Sequence, residues 1–423
     1  MRCAKDRRKA PYISRHRMSS SAAVPVQWSE RFARRMVQRG SSDLTAILAL
    51  ASSAGDIITF SGGFPAPETF PVDVLSSLAS TLMRSDAAVA LQYSATEGIP
   101  SVREYLRDRV AAVEGRHPDA AELMVTSGGI DCMELLAKSL LDEGDLVLVE
   151  SPSYLGAITA FQAFDALVEG VPVDGDGMQV DMLEDVLRGG IRPKFIYVIP
   201  DHQNPTGVTL SLERRHALIE LCRHYGVCVL EDVAYRELSF DGGRLPSLWS
   251  LAPELVVQAG TFSKIFFPGV RLGWAVGPAL LIEQLAVAKQ NSDQCSGAFG
   301  QRLLEEYGRG GHFTAALEQA RSLYRRRWEL LDTALEAHMP DGCHWTHPSG
   351  GFFTWLSLPL GCDTSELLDA AMASRVAFVA GRPFYPDARP SSEIRLSFSR
   401  VQEAEIDEGV RRLASVIAAA GRG

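Results

Sequence analysis

With 423 residues, 46% of them apolar and 22% charged, the chain can bury a full core and is not disordered overall. A formal net charge of −10 argues against a nucleic-acid-binding protein, which needs a basic face, and is compatible with an ordinary soluble enzyme. No run approaches the roughly 18 apolar residues of a membrane span. The seven cysteines are odd in number, irregularly spaced and without a CxxC, which points to free thiols in a reducing cytoplasm.

Residues 1–17 are basic, but no apolar stretch follows, so they do not form a secretory signal. An Arg-rich transit peptide is one reading. The preferred one is a disordered tail over 1–27, or translation that begins at Met18. Trp28 to Arg39 reads as an amphipathic helix, and Leu44 to Ala51 as a second with Asp43 as its cap. With a short strand at Asp56–Phe60, this segment (28–60) is expected to pack with a small C-terminal domain. Ser61-Gly62-Gly63-Phe64-Pro65-Ala66-Pro67 must be an irregular loop.

An alternating pattern then sets in. Apolar, β-branched runs appear at Leu123–Thr126, Leu146–Val149, Phe195–Ile199, Val227–Glu231, Leu255–Ala259 and Leu272–Val276. Helical patterns fill most of the gaps, at Asp131–Leu141, Tyr154–Phe164, Leu212–Tyr225 and Ala279–Gln290. Continuous apolar strands alternating with helices predict an α/β fold, a parallel sheet covered on both faces with a ligand crevice at its C-terminal edge. From about Gly311 the pattern changes to a long helix, Phe313–His338, followed by short strands and helices that read as a smaller α+β domain. The expected division is thus 61–310 and 311–423.

The strand ends carry the chemistry. Ser127-Gly128-Gly129-Ile130 opens a helix with bare backbone amides, suited to phosphate. Ser151-Pro152-Ser153-Tyr154 brings an aromatic, Pro200 to Gly207 includes Asn204, and the next strand runs into Asp232-Val233-Ala234-Tyr235. Last comes Gly260-Thr261-Phe262-Ser263-Lys264, with Arg271 seven residues on. The chain has only six lysines among its 42 Lys and Arg residues, so a lysine set amid Thr, Ser, Phe and Pro is expected to be there for its chemistry. A buried amine with lowered pKa suits Schiff-base formation, and hydroxyls with an arginine suit a phosphate. The paired Cys222 and Cys228 beside His224, and His344 with His347, lack further ligands, so no metal is expected.

In combination, these motifs resemble the pyridoxal-phosphate enzymes of the aspartate aminotransferase fold, the class I/II aminotransferases of fold type I. The nearest subgroup is that of 2-aminoadipate aminotransferase and the effector domains of MocR-type regulators. The resemblance runs from about Trp28 to Ala420. It rests on Ser-Gly-Gly-Phe-Pro-Ala-Pro-Glu at 61–68, Leu-Gln-Tyr-Ser-Ala-Thr-Glu-Gly at 91–98, Asn-Pro-Thr-Gly at 204–207, Asp-Val-Ala-Tyr at 232–235, Thr-Phe-Ser-Lys at 261–264 and Arg-Leu-Gly-Trp at 271–274.

The resemblance implies a mainly parallel seven-stranded sheet with helices on both faces plus the smaller domain. It implies pyridoxal 5′-phosphate held by Lys264 as a Schiff base, with Asp232 on the ring nitrogen and Asn204 and Tyr235 on the 3-oxygen. Tyr154 would stack on the ring. Gly128, Gly129, Ile130, Thr261, Ser263 and Arg271 would receive the phosphate. Arg395 would fork onto the substrate carboxylate, with Gly63 and Asn204 beside it. Tyr93 matches a tyrosine that reaches the neighbouring subunit's phosphate, which implies a homodimer with shared sites. Arg382 reads as structural.

The implied reaction is transfer of an amino group from an L-amino acid to a 2-oxo acid, in the cytoplasm. Thr45 stands near the place where relatives preferring a second carboxylate carry an arginine, so the donor is expected to be apolar or aromatic. His202 replaces an aromatic, and Ile130-Asp131 a polar pair. The pocket for the substrate side chain is expected near Thr45, Phe64 and His202. Another pyridoxal-phosphate reaction, such as β-elimination, decarboxylation or cyclisation, is the alternative. A MocR-type regulator is set aside because only 27 residues precede Trp28.

Overall fold

The order of strands in the main sheet explains why so many chemically distinctive residues meet. The computed structural model describes residues 26–33, 56–359, 361 and 363–421. The second half of the expected first helix, the second helix at Leu44–Ala51, and Thr45 lie outside the described residues, and the described half of that first helix, residues 28–33, holds only a 3-10 turn rather than an α-helix. The chain divides into two compact units, Met1–Gly40 and Ser41–Gly423. In the first, Trp28–Glu30 form a short 3-10 turn.

In the second unit, β1 is Ile58–Thr59, β2 Leu123–Thr126, β3 Leu146–Ser151 and β4 Leu167–Asp174, followed by β5 at Gly177–Met178. Then come β6 (Phe195–Val198), β7 (Cys228–Asp232), β8 (Val256–Thr261) and β9 (Gly273–Val276). Strands β2 to β9 make one sheet in the order β2-β9-β8-β7-β6-β3-β4-β5. Seven of its strands have four residues or more, as expected, and β5 adds a two-residue hairpin at the edge.

Pairing is parallel from β8 through β7, β6 and β3 to β4. One expected parallel strand is reversed: β9 runs antiparallel to both β8 and β2. No crossover helix separates β8 from β9, only a 3-10 turn at Pro268–Val270, so the chain doubles back. The strand β4 has no counterpart among the expected strands. Its exposure alternates and it contains Gly170 and Pro172, so no continuous apolar run marks it.

Helices flank the sheet where their apolar stripes require. Helix Leu212–Tyr225 starts at Ser211, whose hydroxyl accepts the Arg214 amide, and ends at Gly226, with φ of 66°. Helix Gly129–Leu140 buries Cys132, Met133, Leu135 and Leu136 in the core. Burying such a large apolar side chain stabilises by about 1.5–3 kcal/mol.

Beyond the 27-residue helix His312–His338, β10 (His344–Trp345), β11 (Phe353–Ser357), β12 (Val376–Ala377), β13 (Val379–Ala380) and β14 (Glu393–Ser397) complete the strands. An antiparallel sheet has the order β10-β11-β14-β13, while β12 pairs in parallel with β1. The expected strand Val376–Ala380 is therefore two short strands that serve two different sheets. The closing helix Ile406–Ala420 lies against β1 and β12, where Gly409 approaches Ile58 and Phe60. Among the described residues no helix is long and apolar enough to cross a membrane.

Candidate active site

Strands β2, β3, β6, β7 and β8 all point the same way, so their C-terminal ends share one edge of the sheet. The reversed β9 begins at that edge: Gly273 pairs with both Thr126 and Thr261. Arg271, just before it, is thereby brought to the residues that follow β2 and β8. A cavity of about 390 Å³ opens there.

Lys264 lines the cavity, and its amine donates to the Gly63 carbonyl at 2.8 Å. Desolvation, aided by the positive charges of Arg395 and Arg271, lowers the amine to about 8 against the opposing pull of Asp232. Asp232, at the end of β7, is buried, and burial pushes its carboxyl up to about 6. Its oxygens accept the Tyr197 hydroxyl at 2.8 Å and the Ala234 amide at 3.1 Å. Tyr235 and Tyr154 are also raised by burial, Tyr154 to about 12, so both stay neutral donors. The Asn204 side chain lies beside the Tyr235 hydroxyl.

At the other end lies an anion cradle. Gly128 has φ of 107° at the start of helix Gly129–Leu140, and a Cβ there would meet Arg271 Nη2 at 2.9 Å. Thr261 Oγ1 donates to Ser263 Oγ at 3.0 Å, and Arg271 contacts Ser263 Oγ at 3.4 Å and the Ser127 carbonyl at 3.2 Å. The Asp131 carboxylate turns away from this cradle. It accepts the Ser127 amide at 2.7 Å and the buried Lys289 amine at 2.9 Å.

Arg395 enters from β14, buried, with Nη1 on Asn204 Oδ1 at 3.0 Å and Nη2 on the Ser61 carbonyl at 2.8 Å. Its guanidinium packs over Phe353 at 4.3 Å and Phe384 at 5.0 Å. Among the described residues its hydrogen-bond acceptors are the Asn204 and Ser61 oxygens, neither a carboxylate, and its Nε is unpaired. A buried guanidinium without a counter-ion calls for an anion from outside the chain.

The chain matches the family described as "Aminotransferase class I and II" over residues 60–413. It belongs to that family. It is 38% identical to the 2-aminoadipate transaminase of Thermus thermophilus, over 92% of this chain and 97% of that one. It is 35% identical to "Aromatic-amino-acid aminotransferase 1" of Thermococcus litoralis, over 93% of this chain and 96% of that one. Among solved structures, the alpha-aminoadipate aminotransferase of Thermus thermophilus, complexed with N-(5′-phosphopyridoxyl)-L-leucine, matches with a TM-score of 0.87 at 36% identity. That match covers 93% of this chain and 99% of the other.

This class I/II aminotransferase depends on pyridoxal phosphate and moves amino groups between amino acids and 2-oxo acids. The alternative of elimination, decarboxylation or cyclisation has no support in these relatives. The residues fit the cofactor. A lysine with a lowered pKa, a buried carboxylate and a cradle of amides, hydroxyls and an arginine stand around one cavity.

Most residues that the sequence singles out in this aminotransferase line the cavity: Gly63, Gly129, Ile130, Tyr154, Asn204, Asp232, Tyr235, Thr261, Ser263, Lys264, Arg271 and Arg395. Gly128 stands just behind, against Arg271. Tyr93 is 80% exposed and outside the cavity. Arg382 pairs with Asp363 at 3.3 Å.

The expectation that His202 belongs to the side-chain pocket is corrected. It is buried away from the cavity, against Gly350 and Gly351, and Thr209 Oγ1 lies 3.3 Å from its Nδ1. Its backbone has a positive φ of 51°. Met133, Leu155, Ile199, Phe353 and Phe384 line the cavity although no motif singles them out. Leu155 opens the helix after β3 and Met133 lies in the second turn of the helix after β2, positions near the strand ends that could have flagged them.

Proposed function

We propose that this aminotransferase takes its amino group from an L-amino acid with an apolar or aromatic side chain. The observation that carries this reading is the cavity wall. Among its described residues, the only cations besides Lys264 are Arg271, in the anion cradle, and Arg395. The rest of the wall is largely apolar, with Phe64, Met133, Leu155, Ile199, Phe353 and Phe384. One arginine suffices for the α-carboxylate. A second carboxylate on the side chain would meet apolar groups and be left unpaired.

The residue roles follow from position. Pyridoxal phosphate, when bound, supplies an electron sink for the bond broken at the substrate Cα. Lys264 would hold it covalently. Once freed, the Lys264 amine is the base that removes and returns the Cα proton, a task suited to a pKa near 8. Asp232 would face the ring nitrogen, and Asn204 and Tyr235 the 3-oxygen, with Tyr154 on the ring face. Gly128, Gly129, Ile130, Thr261, Ser263 and Arg271 would hold the phosphate. Arg395 would exchange Asn204 Oδ1 and the Ser61 carbonyl for the substrate carboxylate beside Gly63, a bidentate task that the arginine fork suits.

The proposal includes a homodimer, because Tyr93 exposes an aromatic ring that its own cavity does not use. It also takes residues 61–310 as the cofactor-binding domain and 311–423 as the small domain, in a cytoplasmic protein. The experiment is a panel of amino donors, apolar, aromatic and acidic, assayed against 2-oxoglutarate and pyruvate. The expected result is kcat/KM highest for leucine-like or aromatic donors. A preference for glutamate or 2-aminoadipate as donor would overturn the reading.

A further inference from the structure

Tyr197 lies in the middle of β6, paired with Val149 on one side and Leu230 on the other. Its side chain is fully buried, and its ring meets Phe161 edge-on at 5.6 Å. Its hydroxyl reaches Asp232 Oδ2 at 2.8 Å, while Oδ1 of the same carboxylate takes the Ala234 amide at 3.1 Å. Each oxygen of Asp232 therefore holds one donor from the protein. That fixes the plane of the carboxylate and leaves its remaining lone pairs toward the cavity.

We propose that Tyr197 is a positioning residue of the reaction, orienting the Asp232 carboxylate and keeping the proton it shares with the cofactor's ring nitrogen on that nitrogen. The inference rests on the reading that Asp232 faces the ring nitrogen. A carboxylate that accepts a strong neutral hydrogen bond is a weaker base. Between such a carboxylate and a pyridine nitrogen, the proton stays with nitrogen, and the protonated ring is the better electron sink. Without the hydroxyl, Asp232 becomes more basic and draws the proton toward itself.

Two features separate this role from simple packing. The Tyr197 ring packs edge-on against Phe161, a contact that a phenylalanine would keep in the same space. Burial also holds the phenol far above its usual range, so it remains a donor at any working pH.

The test uses holoenzyme reconstituted with pyridoxal phosphate labelled with 15N in the ring, comparing wild type, Tyr197→Phe and Asp232→Asn. In Tyr197→Phe the ring-nitrogen resonance should move toward that of an unprotonated pyridine. Its kcat should fall by about ten- to a hundredfold, the range for loss of a hydrogen bond to a charged group. KM for the amino donor should change by less than about twofold, since no substrate contact is lost. If Asp232→Asn moves the resonance and Tyr197→Phe does not, this inference is wrong while the role of Asp232 stands. If Asp232→Asn leaves the resonance unmoved, the role of Asp232 is itself wrong. A fall in kcat with an unmoved resonance reduces Tyr197 to packing and overturns the inference.

Discussion

Lys264 and Gly63, 201 positions apart in sequence, are joined by a hydrogen bond of 2.8 Å from the lysine amine to the glycine carbonyl. The same loop accepts Arg395 at the Ser61 carbonyl, at 2.8 Å. The residue proposed to hold the cofactor and the one proposed to hold the substrate are thus tethered to one stretch of backbone. Gly63 is suited to its place because a Cβ there would meet the Phe353 ring at 2.9 Å.

Removing the amine tests the centre of the site. Lys264→Ala should lose the protein-bound absorbance of the cofactor. Its transamination rate should fall by at least about a thousandfold, as expected when nucleophile and base vanish together. Absorbance spectra of the purified variant after addition of pyridoxal phosphate check this. A variant that keeps the long-wavelength band would sink the whole assignment.

The lowered pKa of Lys264 makes a prediction about pH. The amine is an ammonium below about 8 and a free nucleophile above it. Capture of pyridoxal phosphate by the apoprotein should therefore speed up by about tenfold per pH unit below the midpoint and level off above it. Stopped-flow absorbance from acid to alkaline pH measures the midpoint. A midpoint near that of an ordinary lysine would show that the cavity does not desolvate this amine.

Arg395→Lys keeps the charge but not the fork. We expect KM for the amino donor to rise and kcat/KM to fall by about a hundredfold, with cofactor binding unchanged. Steady-state kinetics beside a cofactor titration separate the two. Weakened cofactor binding with an unchanged KM would move Arg395 out of the substrate subsite.

Gly128→Ala forces a side chain into a left-handed backbone position and against Arg271. The strain costs about 1–2 kcal/mol, so the cofactor dissociation constant should rise by about tenfold or more. Pyridoxal, which lacks the phosphate, should lose much less. Equal losses for both ligands would place the phosphate elsewhere.

Stability has its own test in a buried ion network. Asp201 accepts Arg215 at 2.6 Å and Arg236 at 3.0 Å, and Arg236 also reaches Glu114 at 2.9 Å. Burial pushes the Asp201 carboxyl up, but the two arginines hold it below its usual value on balance. Its stabilising contribution is present above the unfolded carboxyl's pKa and is lost as pH falls through the lower folded value. Asp201→Ala leaves two buried guanidinium groups short of a partner. It should cost about 3–5 kcal/mol, read from denaturant unfolding of the holoenzyme. A loss under about 1 kcal/mol would mean that water or other groups already screen these charges.

Much of the site is legible in the sequence because the chemistry sits at strand ends. Lys264, Asp232 and Arg271 are polar residues interrupting apolar runs, and such interruptions stand out in a linear reading. Tyr197 does not interrupt anything. It is one more bulky residue in Phe195–Val198, and only its distance to Asp232 reveals a task. Met133 and Leu155 stay hidden for the same reason, as apolar residues among apolar residues. His202 is misplaced by linear proximity to Asn204, which suggests the cavity, whereas its side chain packs against Gly350 and Gly351.

The sequence by itself determined the family, the alternation of strands and helices and the residues at the sheet's C-terminal edge. Those features depend on short-range patterns: hydrophobic periodicity, glycine turns and polar residues at strand ends. The tertiary structure alone decided that β9 runs backwards and so delivers Arg271 to the anion cradle. It alone brought Arg395 from β14 to Asn204, 191 positions away, and set Tyr197 behind Asp232. Those relationships arise from how sheets pack and pair over long separations, where strand direction and side-chain facing are settled by neighbours that a local pattern does not contain.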